Sequence, residues 1–147
     1  MMLNQFDKII IPVRISHTFI LSHPEWIFLY GQDYADKGCL GQAWAASKEP
    51  NTYPVPTMLK VCASSTDRLF MDADIVNVKR MIDEKLALVP TNKGPIIPFP
   101  KLGCGHSQMK FVAPKCYAYL QEAISKIAYP NIEIDYGGKV YPIYGNS

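Results

Sequence analysis

Two short glycine-bearing runs hold the residues best suited to chemistry. The first begins at Gln32-Asp33 and continues to Gly38-Cys39-Leu40-Gly41. The second is Gly103-Cys104-Gly105-His106-Ser107. Glycine lets backbone N–H groups approach a ligand with no Cβ in the way. Such groups, gathered in a nest or at the start of a helix, favour an anion such as a pyrophosphate. Glycines at these places also serve as plain turns, and the pattern alone leaves that alternative open. Neither run has the spacing G-x-x-x-x-G-K-[ST] or G-x-G-x-x-G, so kinase, P-loop and Rossmann readings fit poorly.

Single residues keep two readings each. Asp33 suits a ribose hydroxyl or a positioned water, or else the cap of a loop. His106 suits a phosphate contact or acid–base work, or else an exposed loop position. Cys104 reads as a small buried filler, because no base stands near it in the sequence. Tyr34 and Trp44 suit stacking on a base or ribose, with helix-core packing as the alternative for Trp44. Glu49 and Asn51 suit a polar wall beside a ligand, or ordinary capping after a short helix. The four cysteines, Cys39, Cys62, Cys104 and Cys116, form no C-x-x-C pair and no zinc-ligand cluster with the three histidines. Reduced thiols, no metal and no cofactor are therefore expected.

The elements that must position these residues follow from pattern. Lys8 to Ile15 and Trp26 to Tyr30 are apolar, β-rich runs that read as buried strands, the second stopping at Gly31. Gln42 to Lys48 has helix propensity and ends before Pro50. Thr52 to Val61 holds Pro54 and Pro56, so it is extended only at a sheet edge or is a loop. Asp72 reads as the N-cap of a helix from Ala73 to Val89, with Ile75, Val78, Ile82 and Leu86 on one face. Gly94 to Phe99 reads as a short buried strand. Pro114 opens another helix that carries Tyr117, Leu120, Ile124 and Ile127 on one side. Asn131 to Tyr136 and Lys139 to Tyr144 read as a hairpin turning at Gly137-Gly138. Strands alternating with helices predict an α/β domain with a mixed or mostly parallel sheet.

Composition narrows the function classes. A chain of 147 residues with 48% hydrophobic and 19% charged residues is sized for one cored domain and is no disordered tail. A net charge of +2 argues against a dedicated nucleic-acid patch. No run of apolar residues approaches a membrane span, and the N-terminus lacks the pattern of a secretory signal. A cytoplasmic protein is the expectation.

Several of these runs resemble macrodomains. Phe99-Pro100-Lys101-Leu102-Gly103-Cys104-Gly105 resembles their strand-end loop, nearest to the branch of the terminal ADP-ribose protein glycohydrolase. Tyr30-Gly31-Gln32-Asp33 through Lys37-Gly38-Cys39-Leu40-Gly41-Gln42-Ala43 resembles the loop that opens the first ligand-facing helix. Glu49-Pro50-Asn51 and Val55-Pro56-Thr57 are similar to a pattern in small macro-like proteins of tailed phages. The resemblance spans roughly residues 26 to 127. It implies one macrodomain-like three-layer domain over residues 1–147, with a mixed central sheet flanked by helices. It also implies a cleft for ADP-ribose or a related NAD-derived nucleotide. Gln32, Asp33, Gly38, Cys39, Leu40 and Gly41 would take the distal ribose and part of the pyrophosphate. Gly103, Cys104, Gly105, His106 and Ser107 would wrap the pyrophosphate.

One departure bears on mechanism. The resembling glycohydrolase carries a catalytic Asp two residues after its Gly-Cys-Gly, where this chain has Ser107. A serine without a partner is no base at neutral pH. That enzyme also uses a nucleophilic lysine, and the resemblance does not assign Lys60 to it. The resemblance thus implies first a binder that sequesters a signalling nucleotide in phage–host conflict, within the host cytoplasm. A second reading is an ADP-ribosyl hydrolase in which Asp33 positions a water or the distal ribose. The third is an interaction module without ligand, forming a homo-oligomer through its C-terminal hairpin.

Overall fold

The structure is a computed structural model that describes residues 8–12, 14–34, 45–46, 49–59, 69–100, 102, 109–127, 133–136 and 139–142. It is a mixed α/β fold. The central element is β2 (Ile27–Asp33), flanked by β3 (Thr52–Met58) on one side and β4 (Ile96–Pro98) on the other, all parallel. Ile27 through Tyr30 are buried without interruption, as a parallel strand covered on both faces requires.

Side chains alternate across β2, and each face meets its own layer. Ile27 and Leu29 join Val55 and Ile96 under two helices, α2 (Ile75–Leu86) and α4 (Pro114–Ile127). The helices contribute Val78, Ile82, Leu86, Cys116, Leu120 and Ile124 to that cluster. Phe28 and Tyr30 point the other way, where they meet Ile97, Phe99 and Ala46. That second cluster also takes Ile9 and Ile11 of β1 (Lys8–Ile11) and Ile20 of α1 (His17–Leu21). The 3.6-residue spacing read from the sequence thus selects the buried face of α2 correctly, although the helix is shorter at both ends than Ala73 to Val89.

The strands divide between two hydrogen-bonded sheets, where a single mixed sheet was expected. β1 pairs in parallel with β5 (Glu133–Tyr136), which pairs antiparallel with β6 (Lys139–Pro142). The pairing of Tyr136 with Lys139 fits the expected hairpin. β1 ends at Ile11, four residues before the expected Ile15, and Pro12 follows it. Packing of Ile9 and Ile11, and no described ladder, joins β1 to the β3–β2–β4 sheet.

The prolines of the strands are consistent with the register. In a parallel ladder alternate residues turn their backbone groups to opposite sides. Phe28 N–H donates to Asn51 O at 2.9 Å, which turns the odd-numbered residues of β3 toward β2. Pro54 and Pro56 therefore place their missing N–H on the side away from β2. Phe99 N–H donates to Leu29 O at 2.8 Å, so Pro98 faces away by the same parity. The expectation that the proline-bearing segment lies at an edge holds, since β3 ends the strand order.

Asp72 is a cap, but of a different helix. It opens a 3-10 turn, Asp72–Asp74, and makes no cap bond to α2. Its Oδ1 accepts the N–H groups of Lys115 at 3.0 Å and Cys116 at 3.1 Å instead. These are two of the orphan donors in the first turn of α4, behind Pro114. Local sequence offers no signal for a cap that reaches across more than forty residues. Helix α1, capped by Ser16 through Phe19 N–H, and the short α3 (Met109–Val112) were not anticipated either.

Candidate functional site

β4 ends at Pro98 opposite Leu29 while β2 continues beside β3 to Asp33, and the next described elements after the two strands lie on opposite faces of the sheet. After β2 the next described helical residues, Ala45 and Ala46, pack on the β1 and α1 side. After β4 the chain enters α3 and α4, whose Met109, Ala113 and Cys116 lie on the other side. Neighbouring parallel strands with divergent exits form a topological switch point, and ligands of open α/β sheets bind in the crevice outside it. In sequence order, the two runs singled out above follow these two strands.

Buried polar side chains gather at this edge. Gln32 at 5%, Asp33 at 3% and Thr57 at 5% exposure are three of the four buried polar residues among those described. The expectation that β2 stops at Gly31 is corrected here. Gly31 pairs with Val55, and the ladder continues through Gln32 and Asp33, so these two are strand residues, not loop residues. The register shifts between them, Gln32 facing Pro56 and Asp33 facing Met58, which gives β3 one extra residue, Thr57. Bulges of this kind re-aim side chains where a strand ends. The Thr57 hydroxyl donates to Gln32 O at 3.5 Å, and Asp33 N–H donates to Gln32 Oε1 at 3.1 Å. Thr57 was part of a resemblance motif but not of the expected site.

The remaining expected site residues, Gly38, Cys39, Leu40, Gly41, Gly103, Cys104, Gly105, His106 and Ser107, lie outside the described residues, as do Trp44 and Lys60. Tyr34 is described, and its hydroxyl goes to α2: it donates to Glu84 at 3.1 Å to Oε1 and 3.0 Å to Oε2.

Glu49 and Asn51 belong to the opposite end of the sheet. Asn51 directly precedes β3, and its Nδ2 donates to the carbonyls of His23 at 3.0 Å and Trp26 at 3.2 Å. Glu49 Oε1 is hydrogen-bonded to His17 Nε2 at 2.8 Å, and Glu49 O accepts from Thr52 Oγ1 at 2.7 Å. Strand rise puts this end about 20 Å from the carboxyl edge. Neither side chain caps the short helix that precedes them: both tie the amino end of the sheet to α1 and to the connection between α1 and β2.

Cys116 is a free, buried thiol. Burial, with Asp72 adding charge and a hydrogen bond, pushes it up from 9.0 to about 11, so it is a protonated packing group at neutral pH. Among the described residues no cluster of His, Cys, Asp and Glu could hold a metal ion, and no helix is long and apolar enough to cross a membrane.

A family of unknown function (DUF7831) matches residues 10–123, and the chain belongs to that family. No curated protein and no solved structure matches it.

Proposed function

We propose that this DUF7831 chain binds ADP-ribose or a related NAD-derived nucleotide across the carboxyl edge of the β3–β2–β4 sheet, in a macrodomain-like arrangement. The observation that carries the reading is the cluster of buried Gln32, Asp33 and Thr57 at the carboxyl end of the β2–β3 pair, beyond the point where β4 stops and the following elements part to opposite faces. A carboxylate at a strand end accepts hydrogen bonds from a ribose hydroxyl. The glycine runs at 38–41 and 103–107 supply backbone N–H groups for the pyrophosphate, which needs no strongly basic surface. The net charge of +2 agrees with that mode of binding. The protein in this reading holds a signalling nucleotide out of solution.

Burial of Asp33 also favours a second reading, an ADP-ribosyl hydrolase in which this carboxylate holds the attacking water. Calorimetry with ADP-ribose, NAD and cyclic ADP-ribose isomers tests the first reading, with saturable one-to-one heat expected for at least one of them. Silence with all of them overturns it. Release of free ADP-ribose from ADP-ribosylated protein over hours selects the hydrolase, and tight binding without release selects the sequestering protein.

A further inference from the structure

Asp33 stands where one neighbouring strand has stopped and the other is out of step. The last residue of β4 paired with β2 is Pro98, opposite Leu29, while β2 continues to Asp33. Odd-numbered residues of β2 turn their backbone groups toward β4: Ile27 N–H donates to Pro95 O, and Leu29 O accepts from Phe99 N–H. Asp33 has the same parity, and its N–H donates to the amide oxygen of the Gln32 side chain at 3.1 Å. Gln32 thus supplies from its own side chain the kind of acceptor that β4 supplies further back along the strand.

The same peptide bond is held at its other end. Gln32 O accepts from the Thr57 hydroxyl at 3.5 Å, a long contact and so the weaker of the two. Thr57 is the extra residue of β3 at the register shift. Both ends of the Gln32–Asp33 peptide therefore have a buried side-chain partner, on the backbone from which Asp33 projects. We propose that Gln32, assisted by Thr57, is a positioning residue: it locks this peptide and so fixes how the Asp33 carboxylate meets a ribose hydroxyl. Gln32 acts through Asp33 and does not itself touch the ligand, where the resemblance implied a ligand contact. This rests on the nucleotide-binding reading above.

The test uses Gln32→Met, Thr57→Val and Thr57→Ser, with Gln32→Met also placed on an Asp33→Asn background. Two readouts are taken on protein shown by circular dichroism to be folded: hydrogen exchange of the Asp33 amide, and ADP-ribose affinity by calorimetry. Gln32→Met removes the amide oxygen and is expected to speed that exchange about fivefold or more. It is expected to weaken ADP-ribose by about three- to tenfold. Thr57→Val should act in the same direction by about two- to threefold, and Thr57→Ser, which keeps the hydroxyl, should bind as the wild type does. On the Asp33→Asn background Gln32→Met should cost less than about twofold, because the group it positions has been changed. Exchange and affinity that match the wild type in Gln32→Met overturn the proposal. So does a loss that persists in full on the Asp33→Asn background, since Gln32 would then meet the ligand itself. Should Gln32→Met not fold, a folded Thr57→Val with wild-type exchange and affinity overturns it. If the wild type takes up no ADP-ribose, the nucleotide reading fails on its own. The exchange rate of the Asp33 amide then decides whether Gln32 locks the peptide, and an unchanged rate in Gln32→Met overturns it.

Discussion

The two ends of the β3–β2–β4 sheet use polar residues differently. At the amino end, Asn51 closes two carbonyls of the α1–β2 connection and Glu49 joins α1 through His17. The His23 ring lies flat on Trp26 at 3.8 Å between centroids, with 9° between the planes. These contacts stitch α1, β2 and β3 together. At the carboxyl end the polar residues are buried on the strand ends themselves, beside a register shift and diverging connections. Parallel strands place every crossover exit at one edge. The amino edge is thus free to be closed with hydrogen bonds, while the carboxyl edge is where open α/β sheets bind their ligands. Similar residue types serve stability at one end and a candidate site at the other.

The largest effect should come from the amino end, at Gly94. A Cβ built there would fall on the carbonyl oxygen of Glu25, a backbone atom that cannot swing aside. Gly94→Val should cost on the order of 3 kcal/mol or more and lower the melting temperature sharply, by thermal denaturation followed with circular dichroism. A variant that melts like the wild type would show that this approach of β4 to the α1–β2 turn is loose.

The comparison is sharpest between Asp33→Asn and Asn51→Ala. Asp33→Asn should weaken ADP-ribose by roughly ten- to a hundredfold, about 1.4–2.8 kcal/mol, in calorimetry on protein that is still folded. Asn51→Ala should leave that affinity alone and lower stability by about 1–2 kcal/mol, because two carbonyls lose their donor. If Asn51→Ala damages binding as much as Asp33→Asn does, the division between the two ends is wrong.

The smallest effect separates folding from function by pH. The Cys116 thiol is raised in the folded chain, so the native state keeps a proton that the unfolded state releases first. Its contribution is complete below pH 9 and is lost as pH climbs from 9.0 toward about 11. Urea melts across that range should show stability falling in wild type, and falling less in Cys116→Ala. Equal slopes in the two proteins would mean the thiol is more accessible than its burial indicates.

Much of the fold was legible in the residues. The apolar spacing of Val78, Ile82 and Leu86 selected the buried face of α2, and Pro54 and Pro56 marked an edge strand. Asp72 announced a cap without revealing which helix it serves. Gly31 looked like the end of β2 because an isolated glycine weakens a strand pattern. Its ladder to Val55 comes from β3, a partner more than twenty residues away, and carries the strand on to Asp33. The two glycine runs of the expected site lie outside the described residues, and the burial of Gln32, Asp33 and Thr57 at one end of the β2–β3 pair was not legible as a place. Glu49 and Asn51 looked as close to it as Asp33 did.

The sequence by itself determined the alternation of strands and helices, the apolar faces that must be covered and the residue types able to meet a pyrophosphate. Those follow from local periodicity and from the backbone freedom of glycine. Tertiary structure alone decided that β4 lies against β2 and not at a distant edge. It set the register that buries Gln32 and Asp33 at the strand end, and it sent Glu49 and Asn51 to the opposite pole. The reason is that strand order and register are settled by contacts between segments far apart in the chain. Burial of Ile27 and Leu29 on one face and of Phe28 and Tyr30 on the other holds them there, and a shift of one residue would reverse both faces.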